Sequence, residues 1–186
     1  MSRIKPVYKP SDHPNQDEQT REDLAELFGF LAPGVAEPEI DKGHTGTAIA
    51  AHSPKFALNL SKLTAHVALG LGWSQRRDLF ELAVQAVHLH FKCDFSFAAR
   101  IPKAEPTGLG MDRLAALPFW RTSSLFDEEQ RLVVEYVEAV ASGDVSDDVL
   151  ARVKARWGET GAIELAAVIA AFSAWAMLIN VARPEF

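Results

Sequence analysis

The stretch from Leu165 to Ile179, LAAVIAAFSAWAMLI, is apolar around its whole circumference when it is drawn as a helix. Such a helix must be surrounded by other protein or by lipid. It is shorter than the roughly 20 residues that cross a bilayer, it is rich in alanine, and Glu164 and Asn180 border it. We therefore expect a buried central helix, at or near a subunit interface, and no membrane contact.

Helix start and stop signals divide the rest of the chain. Residues 1–19 are polar with three prolines and predict an extended arm, followed by a single domain over 20–186. Thr20 and Asp23 resemble a capping box, Ser53-Pro54 and Ser74 are further expected starts, and glycine or proline marks most ends. No alternating strand pattern competes. The sequence predicts an all-α bundle of about eight helices, with helical segments near 20–31, 54–69, 75–92, 95–104, 111–117, 128–141, 147–157 and 161–182.

Residues 32–46 contain two prolines and three glycines and predict a long loop. A loop of this length inside a compact domain is often a lid or a pocket wall, and a solvated connector is the alternative.

Composition limits the classes of function. The formal net charge of −6 argues against binding to nucleic acid or to anionic membranes. A single cysteine excludes an internal disulfide and is typical of a reducing compartment. The first residues contain no apolar core of a secretory signal. We expect a cytoplasmic protein.

The segment from Glu81 to Arg100, ELAVQAVHLHFKCDFSFAAR, concentrates the chemistry. At about 100° per residue, Glu81, Gln85, His88 and Lys92 form one narrow polar line on an otherwise apolar helix. A solvated face is one interpretation. The line is thin and its neighbours are apolar, which favours instead the wall of a pocket or an interface.

A long buried helix with an early Glu81 is followed by a thiol at its end, a short helix and a terminal apolar helix. This order of elements resembles the carboxymuconolactone decarboxylase and alkylhydroperoxidase D-like (AhpD-like) superfamily over roughly residues 54–183. Its peroxidase branch carries Glu and, twelve residues later, Cys-x-x-Cys-x-x-x-His. Glu81 and Cys93 keep that spacing, while Ser96 and Arg100 stand at the second Cys and the His positions. The family's later helices are matched by Leu125-Phe126-Asp127-Glu128 and the region of Asn180. The resemblance implies an AhpD-like helical fold and a homo-oligomer (dimer, trimer or hexamer).

The departures from the motif change its chemistry. Cys93 and Ser96 cannot form an intrachain disulfide, so Cys93 either attacks peroxide and needs an external thiol, with positive charge from Lys92 and Arg100, or is an inert buried cysteine. Arg100 does not shuttle protons near neutral pH. It either forms a structural ion pair with Glu81 or binds a substrate carboxylate through two hydrogen bonds.

His88 is the group suited to acid–base work near pH 7, either as a relay with Glu81 or as a histidine satisfied in the core. We expect His90 to pack on the opposite side of the helix. His90 and Cys93 share the spacing of a metal pair, but no third ligand is evident, so we expect no metal and no cofactor.

Three functions follow. The first is cofactor-free acid–base chemistry on a small organic acid or lactone. Its catalytic groups would be Glu81, His88 and Arg100, and Lys92, Gln85 and Ser96 would contact the substrate. The second is a single-cysteine alkylhydroperoxidase-like (peroxiredoxin-type) activity of Cys93. The third is a non-catalytic binding or structural oligomer. The concentrated polar line favours an enzyme.

Overall fold

A computed structural model describes residues 2–185, and every regular element in that range is helical. The predicted all-α class with about eight helices is confirmed. The α-helices are α1 (Glu18–Leu31), α2 (Thr45–Ala50), α3 (Pro54–Ala65), α4 (Arg77–His90), α5 (Asp94–Ala104), α6 (Met111–Ala116), α7 (Glu128–Ser142) and α8 (Asp147–Ala182).

The chain forms two compact units, one of residues 2–63 with 177–185 and one of 64–176. In the first unit the polar N-terminal segment is tied down by backbone hydrogen bonds. The Val7 amide donates to the Ala48 carbonyl at 2.8 Å, and the Ile40 amide donates to the Tyr8 carbonyl at 2.9 Å. Val7 is buried, as are all six residues of α2. The predicted division into an arm at 1–19 and a domain at 20–186 stays a prediction.

The second unit is organised around α4, which packs against α5 and α7. Ten consecutive residues of α4, from Leu79 to His88, are buried. Phe80 of α4 meets Phe172 of α8 edge to face, with ring centroids 5.6 Å apart. Tyr136 of α7 donates to the carbonyl of Ala162 on α8 at 3.3 Å. Burying a side chain as large as Phe80 contributes about 2–3 kcal/mol to the stability of the fold, which helps to hold α4 in place.

Gly158 breaks α8, because its φ of 73° and ψ of 179° are not helical. The predicted end of one helix near Trp157 and start of another near Gly161 are thus correct. By length and composition α8 also suffices to cross a membrane, and half of its most apolar window is buried in the fold. A core helix of a soluble protein passes the same test, so this is weak evidence for a membrane span.

Three local expectations are wrong. Asp17, not Thr20, caps α1, with its carboxylate accepting from the Thr20 amide at 2.7 Å. Ser74 does not cap α4, since it is buried in a short 3₁₀ turn and donates to the Val67 carbonyl. The loop at 32–46 is shorter than expected, because a 3₁₀ turn at Lys42–His44 leads directly into α2.

Candidate functional site

A buried ion pair joins α4 to α5. The Arg100 guanidinium donates from Nε to Glu81 Oε2 at 2.7 Å and from Nη2 to Glu81 Oε1 at 2.9 Å. The side chain of Glu81 is 2% exposed and that of Arg100 is 17% exposed. The structure therefore forms the Glu81–Arg100 pair that the sequence offered as one alternative, and this edge of Arg100 is already occupied by protein.

A second arginine approaches the same carboxylate from the start of α4. Arg77 Nη2 lies 3.5 Å from Glu81 Oε1, four residues on along the helix. Its other terminal nitrogen donates to the carbonyls of Ala68 and Ser74. The guanidinium carbons of Arg77 and Arg100 lie 4.4 Å and 5.6 Å from the centre of the Phe80 ring. Two guanidinium groups thus surround one carboxylate, and the cluster carries a net positive charge.

His88 lies on the same face of α4, two turns after Glu81, and is buried. Its Nδ1 atom has no hydrogen-bond partner among the described residues. Burial, and to a lesser extent the positive charge of Arg100, lower the pKa of His88 from 6.5 to about 3. The imidazole is therefore uncharged at neutral pH, with a ring nitrogen that no protein group occupies.

Gln85 lies between Glu81 and His88 and is fully buried. Its Nε2 donates to the Phe97 carbonyl of α5 at 3.2 Å, while its Oε1 has no partner in the part of the chain that the structure describes. A buried polar atom without a partner costs about 1–3 kcal/mol. Gln85 Oε1 and His88 Nδ1 are two such atoms, three residues apart on the same helix.

Cys93 directly precedes α5, and Ser96 lies in the first turn of that helix. Cys93 is buried, and its thiol donates to the Ser96 hydroxyl at 3.2 Å. Lys92, just before it, has a φ of 52°, which turns the chain back so that α5 returns against α4. The Lys92 side chain is exposed and does not join the buried groups.

Burial separates the predicted site residues into three sets. Glu81, Gln85, His88 and Arg100 converge between α4 and α5, so the solvated-face interpretation of the polar line is wrong for its first three members. Cys93 and Ser96 pair with each other, and Lys92 points to solvent. His90 is exposed beside Phe91, contrary to the packing expected for it.

Two residues outside the predicted set also lie at this site. Arg77 stands four residues before Glu81, a spacing that predicts a helical ion pair. Phe172 of α8 covers the site, with its ring centre 4.9 Å from the Arg100 guanidinium carbon and 6.4 Å from the His88 ring centre. No sequence signal connects Phe172 to α4. Within residues 2–185, no group of three His, Cys, Asp or Glu side chains is arranged to hold a metal ion.

Comparison with solved structures places this architecture in the AhpD-like fold. The chain resembles the crystal structure of an Agrobacterium tumefaciens protein of unknown function, described as a candidate antioxidant defence protein AhpD. The TM-score is 0.63 at 20% identity, over 73% of this chain and 93% of that one. The expected AhpD-like helical bundle is therefore confirmed.

Sequence comparison adds a relative without an assigned role. The uncharacterized protein YnjA of Escherichia coli strain K12 is 32% identical over 112 residues, which is 55% of this chain. The match spans 61% of the length of YnjA, less than two thirds of it. No protein-family model matches the chain.

Proposed function

We propose that this chain is a carboxymuconolactone decarboxylase-like enzyme that performs cofactor-free acid–base chemistry on a small organic acid or lactone. The observation that carries the proposal is the uncharged, buried His88, whose Nδ1 has no protein partner, beside the Arg100 guanidinium. An imidazole with an available nitrogen accepts a proton, and a fixed cation stabilises the negative charge that the proton leaves behind.

The charges around the site favour an anionic substrate. The two positive charges of Arg77 and Arg100 exceed the single negative charge of Glu81, which leaves a net charge of +1. Nη1 of Arg100 is not used by Glu81 and remains available to a carboxylate or an enolate oxygen. Burial is the main cause of the lowered His88 pKa, and a bound anion would offset only the smaller contribution, the charge of Arg100.

The proposed reaction begins when His88 removes a proton from a carbon next to the substrate carbonyl. The electron pair of the C–H bond moves to the carbonyl oxygen, and Arg100 stabilises the resulting enolate. Return of the proton to another carbon isomerises the substrate. In a β-keto acid, the C–C bond to the carboxylate breaks instead and CO₂ leaves. The electron pair of that bond forms an enolate that Arg100 stabilises, and a proton from water completes the decarboxylation. Glu81 orients Arg100, and Gln85 Oε1 accepts a substrate hydroxyl.

A single-cysteine peroxidase is the second proposal, favoured by the contact between Cys93 and Ser96 at the motif's two cysteine positions. The name given to the Agrobacterium relative, a candidate antioxidant protein, points the same way. In this reaction the Cys93 thiolate attacks the terminal oxygen of an alkyl hydroperoxide, the O–O bond breaks, and the alkoxide leaves as an alcohol after taking up the proton that the thiol released. One small external thiol then condenses with the sulfenic acid to a mixed disulfide and water, and a second thiol displaces Cys93 and forms the external disulfide. Cys93 is 1% exposed, which slows access of peroxide and ranks this proposal second.

The location, assembly and partners of the enzyme are part of the proposal. We infer a cytoplasmic homo-oligomer (dimer, trimer or hexamer) with a small-molecule substrate and without nucleic-acid or membrane partners. The exposed apolar residues Ile163 and Met177 on α8, 71% and 51% exposed, support the oligomer. Sedimentation equilibrium tests it, and a monomer at all concentrations would contradict the oligomer.

Proton exchange tests the acid–base proposal without knowledge of the natural substrate. We would incubate the protein in D₂O with a panel of keto acids, hydroxy acids and lactones, and follow loss of the α-proton signal by NMR. Exchange that depends on the protein and disappears in His88→Gln is expected. His90→Gln, which removes an exposed imidazole two residues further on, is the matched control.

A peroxidase assay on wild type, His88→Gln and Cys93→Ser separates the two proposals. Consumption of peroxide with a small thiol, lost in Cys93→Ser and retained in His88→Gln, would favour the peroxidase. If the wild-type protein catalyses neither reaction, the third interpretation, a non-catalytic oligomer, takes their place.

A further inference from the structure

A second cleft opens where Gly158 breaks α8, and it shares no residue with the Glu81–Arg100 site. Its volume is about 390 Å³. It lies between the turn that precedes α4, the first turn of α7 and both sides of the break. Six side chains form most of its wall, as two indoles, two guanidinium groups and two carboxylates: Trp73, Trp157, Arg76, Arg156, Glu129 and Glu164.

The two indoles form a rigid aromatic wall. The ring centroids of Trp73 and Trp157 are 5.9 Å apart and the rings are perpendicular. Gly161 leaves the space for this arrangement, since a Cβ there would lie 2.5 Å from the Cβ of Trp157 and 3.8 Å from Cδ1 of Trp73. An aromatic ring of a ligand can stack or pack edge-on against such a wall.

One indole N–H in this wall is not satisfied by protein. Trp157 Nε1 donates to Glu129 at 3.3 Å, whereas Trp73 Nε1 has no partner among the described residues. Trp73 is 6% exposed, so more than nine-tenths of this residue is buried. A buried indole N–H normally finds an acceptor, so the fold leaves a polar group of this wall without its usual partner.

The carboxylates of the cleft are already engaged. Glu129 Oε1 lies 2.7 Å from Nη2 of Arg156, and Glu129 Oε2 accepts from Nη2 of Arg76 at 3.1 Å. Glu164 Oε2 accepts from the backbone amide of Trp73 at 2.7 Å. The two guanidinium groups and the two carboxylates of the wall have formal charges that sum to zero, so a ligand is recognised here through individual hydrogen bonds.

The groups that remain available are mainly donors. A guanidinium carries five N–H bonds, and Arg156 uses one nitrogen for Glu129 while Arg76 uses two, for Glu129 and Asp78. The hydroxyl of exposed Thr160 adds another donor. An aromatic wall surrounded by donors fits a flat ligand that carries acceptors.

We propose that this cleft is a binding site for small aromatic carboxylates. The ring lies against the edge of the Trp73 and Trp157 wall, and the carboxylate accepts from the exposed guanidinium of Arg156. Because a charged acceptor forms hydrogen bonds roughly twice as strong as a neutral one, a carboxylate should bind about tenfold more tightly than the matching amide.

NMR of the full chain with ¹⁵N-labelled tryptophan tests this directly. The protein has four tryptophans, and the Trp73 indole signal is assigned by its absence in Trp73→Phe. Benzoate should shift that signal saturably, benzamide about tenfold more weakly, and acetate and benzylamine not at all. Tighter binding of benzylamine, or no saturation by benzoate up to about 10 mM, would overturn the proposal.

Two surface variants locate the bound carboxylate. Arg156→Gln should weaken benzoate about tenfold and benzamide by less, because the hydrogen bond that benzoate loses is the charged, stronger one. The matched control is Arg152→Gln, one turn earlier on α8, where the arginine pairs with Glu135 and does not line the cleft. Equal effects of both variants would refute the site. Benzoate binding lost in Arg100→Lys and kept in Arg156→Gln would assign the ligand to the Glu81–Arg100 site instead.

Discussion

Acid should destabilise the native protein through His88, and the size of the effect follows from the burial of this side chain. In the unfolded chain the imidazole takes up a proton near its ordinary pKa of 6.5, while burial and Arg100 hold the native pKa at about 3. Between these values the unfolded state binds one more proton than the native state. The stability contribution of the uncharged imidazole is therefore complete above pH 6.5 and is lost as the pH falls toward 3.

The magnitude is set by the difference between the two pKa values. Each pH unit in this window corresponds to about 1.4 kcal/mol. Lowering the pH from 7 to 4 should thus remove about 3 kcal/mol of the free energy of unfolding through this histidine alone. For a domain whose total stability is about 5–15 kcal/mol, that is a large fraction.

Urea unfolding followed by circular dichroism, repeated in steps from pH 7.5 to pH 4, measures this loss. Wild type should lose about 3 kcal/mol more than His88→Gln over the range, whatever the two stabilities are at pH 7. His90→Gln controls for removal of an imidazole from the exposed end of the same helix. If wild type and His88→Gln lose stability in parallel, the native pKa of His88 is not lowered, and the argument from its burial is wrong.

Three further predictions concern stability. Arg100→Met leaves the Glu81 carboxylate buried without its two short hydrogen bonds and should lower the free energy of unfolding by about 3 kcal/mol in urea titrations. Adding Glu81→Gln should recover part of this loss. A double variant no more stable than the single one would contradict the argument. Gly158→Ala should cost about 2 kcal/mol and lower the melting temperature, because a residue with a Cβ is strained in this backbone conformation. Gly29→Ala lies inside α1 with nothing near the added Cβ, and it should stabilise the protein by up to about 1 kcal/mol. Asp127→Ala removes the capping box of α7 and should cost about 1 kcal/mol in the same titration; no loss would mean that packing alone fixes the helix start.

The sequence determined most helix boundaries, because the signals that set them act over three or four residues. Asp127 caps α7 through the amide of Gln130, Pro54 opens α3, and Gly143 ends α7 with a left-handed φ of 75°. Gly158 interrupts α8 for the same local reason. The short helix α2 was missed, since its sequence TGTAIA has little helical preference of its own and all six residues are buried.

The site was only partly predictable. The line of Glu81, Gln85 and His88 follows from helical periodicity, but the sequence left the partner of Glu81 open. The tertiary structure chose Arg100, because the left-handed turn at Lys92 brings α5 back against α4. It also decided the protonation state of His88. The pKa of an imidazole depends on which distant side chains remove it from water, and local sequence does not encode their approach.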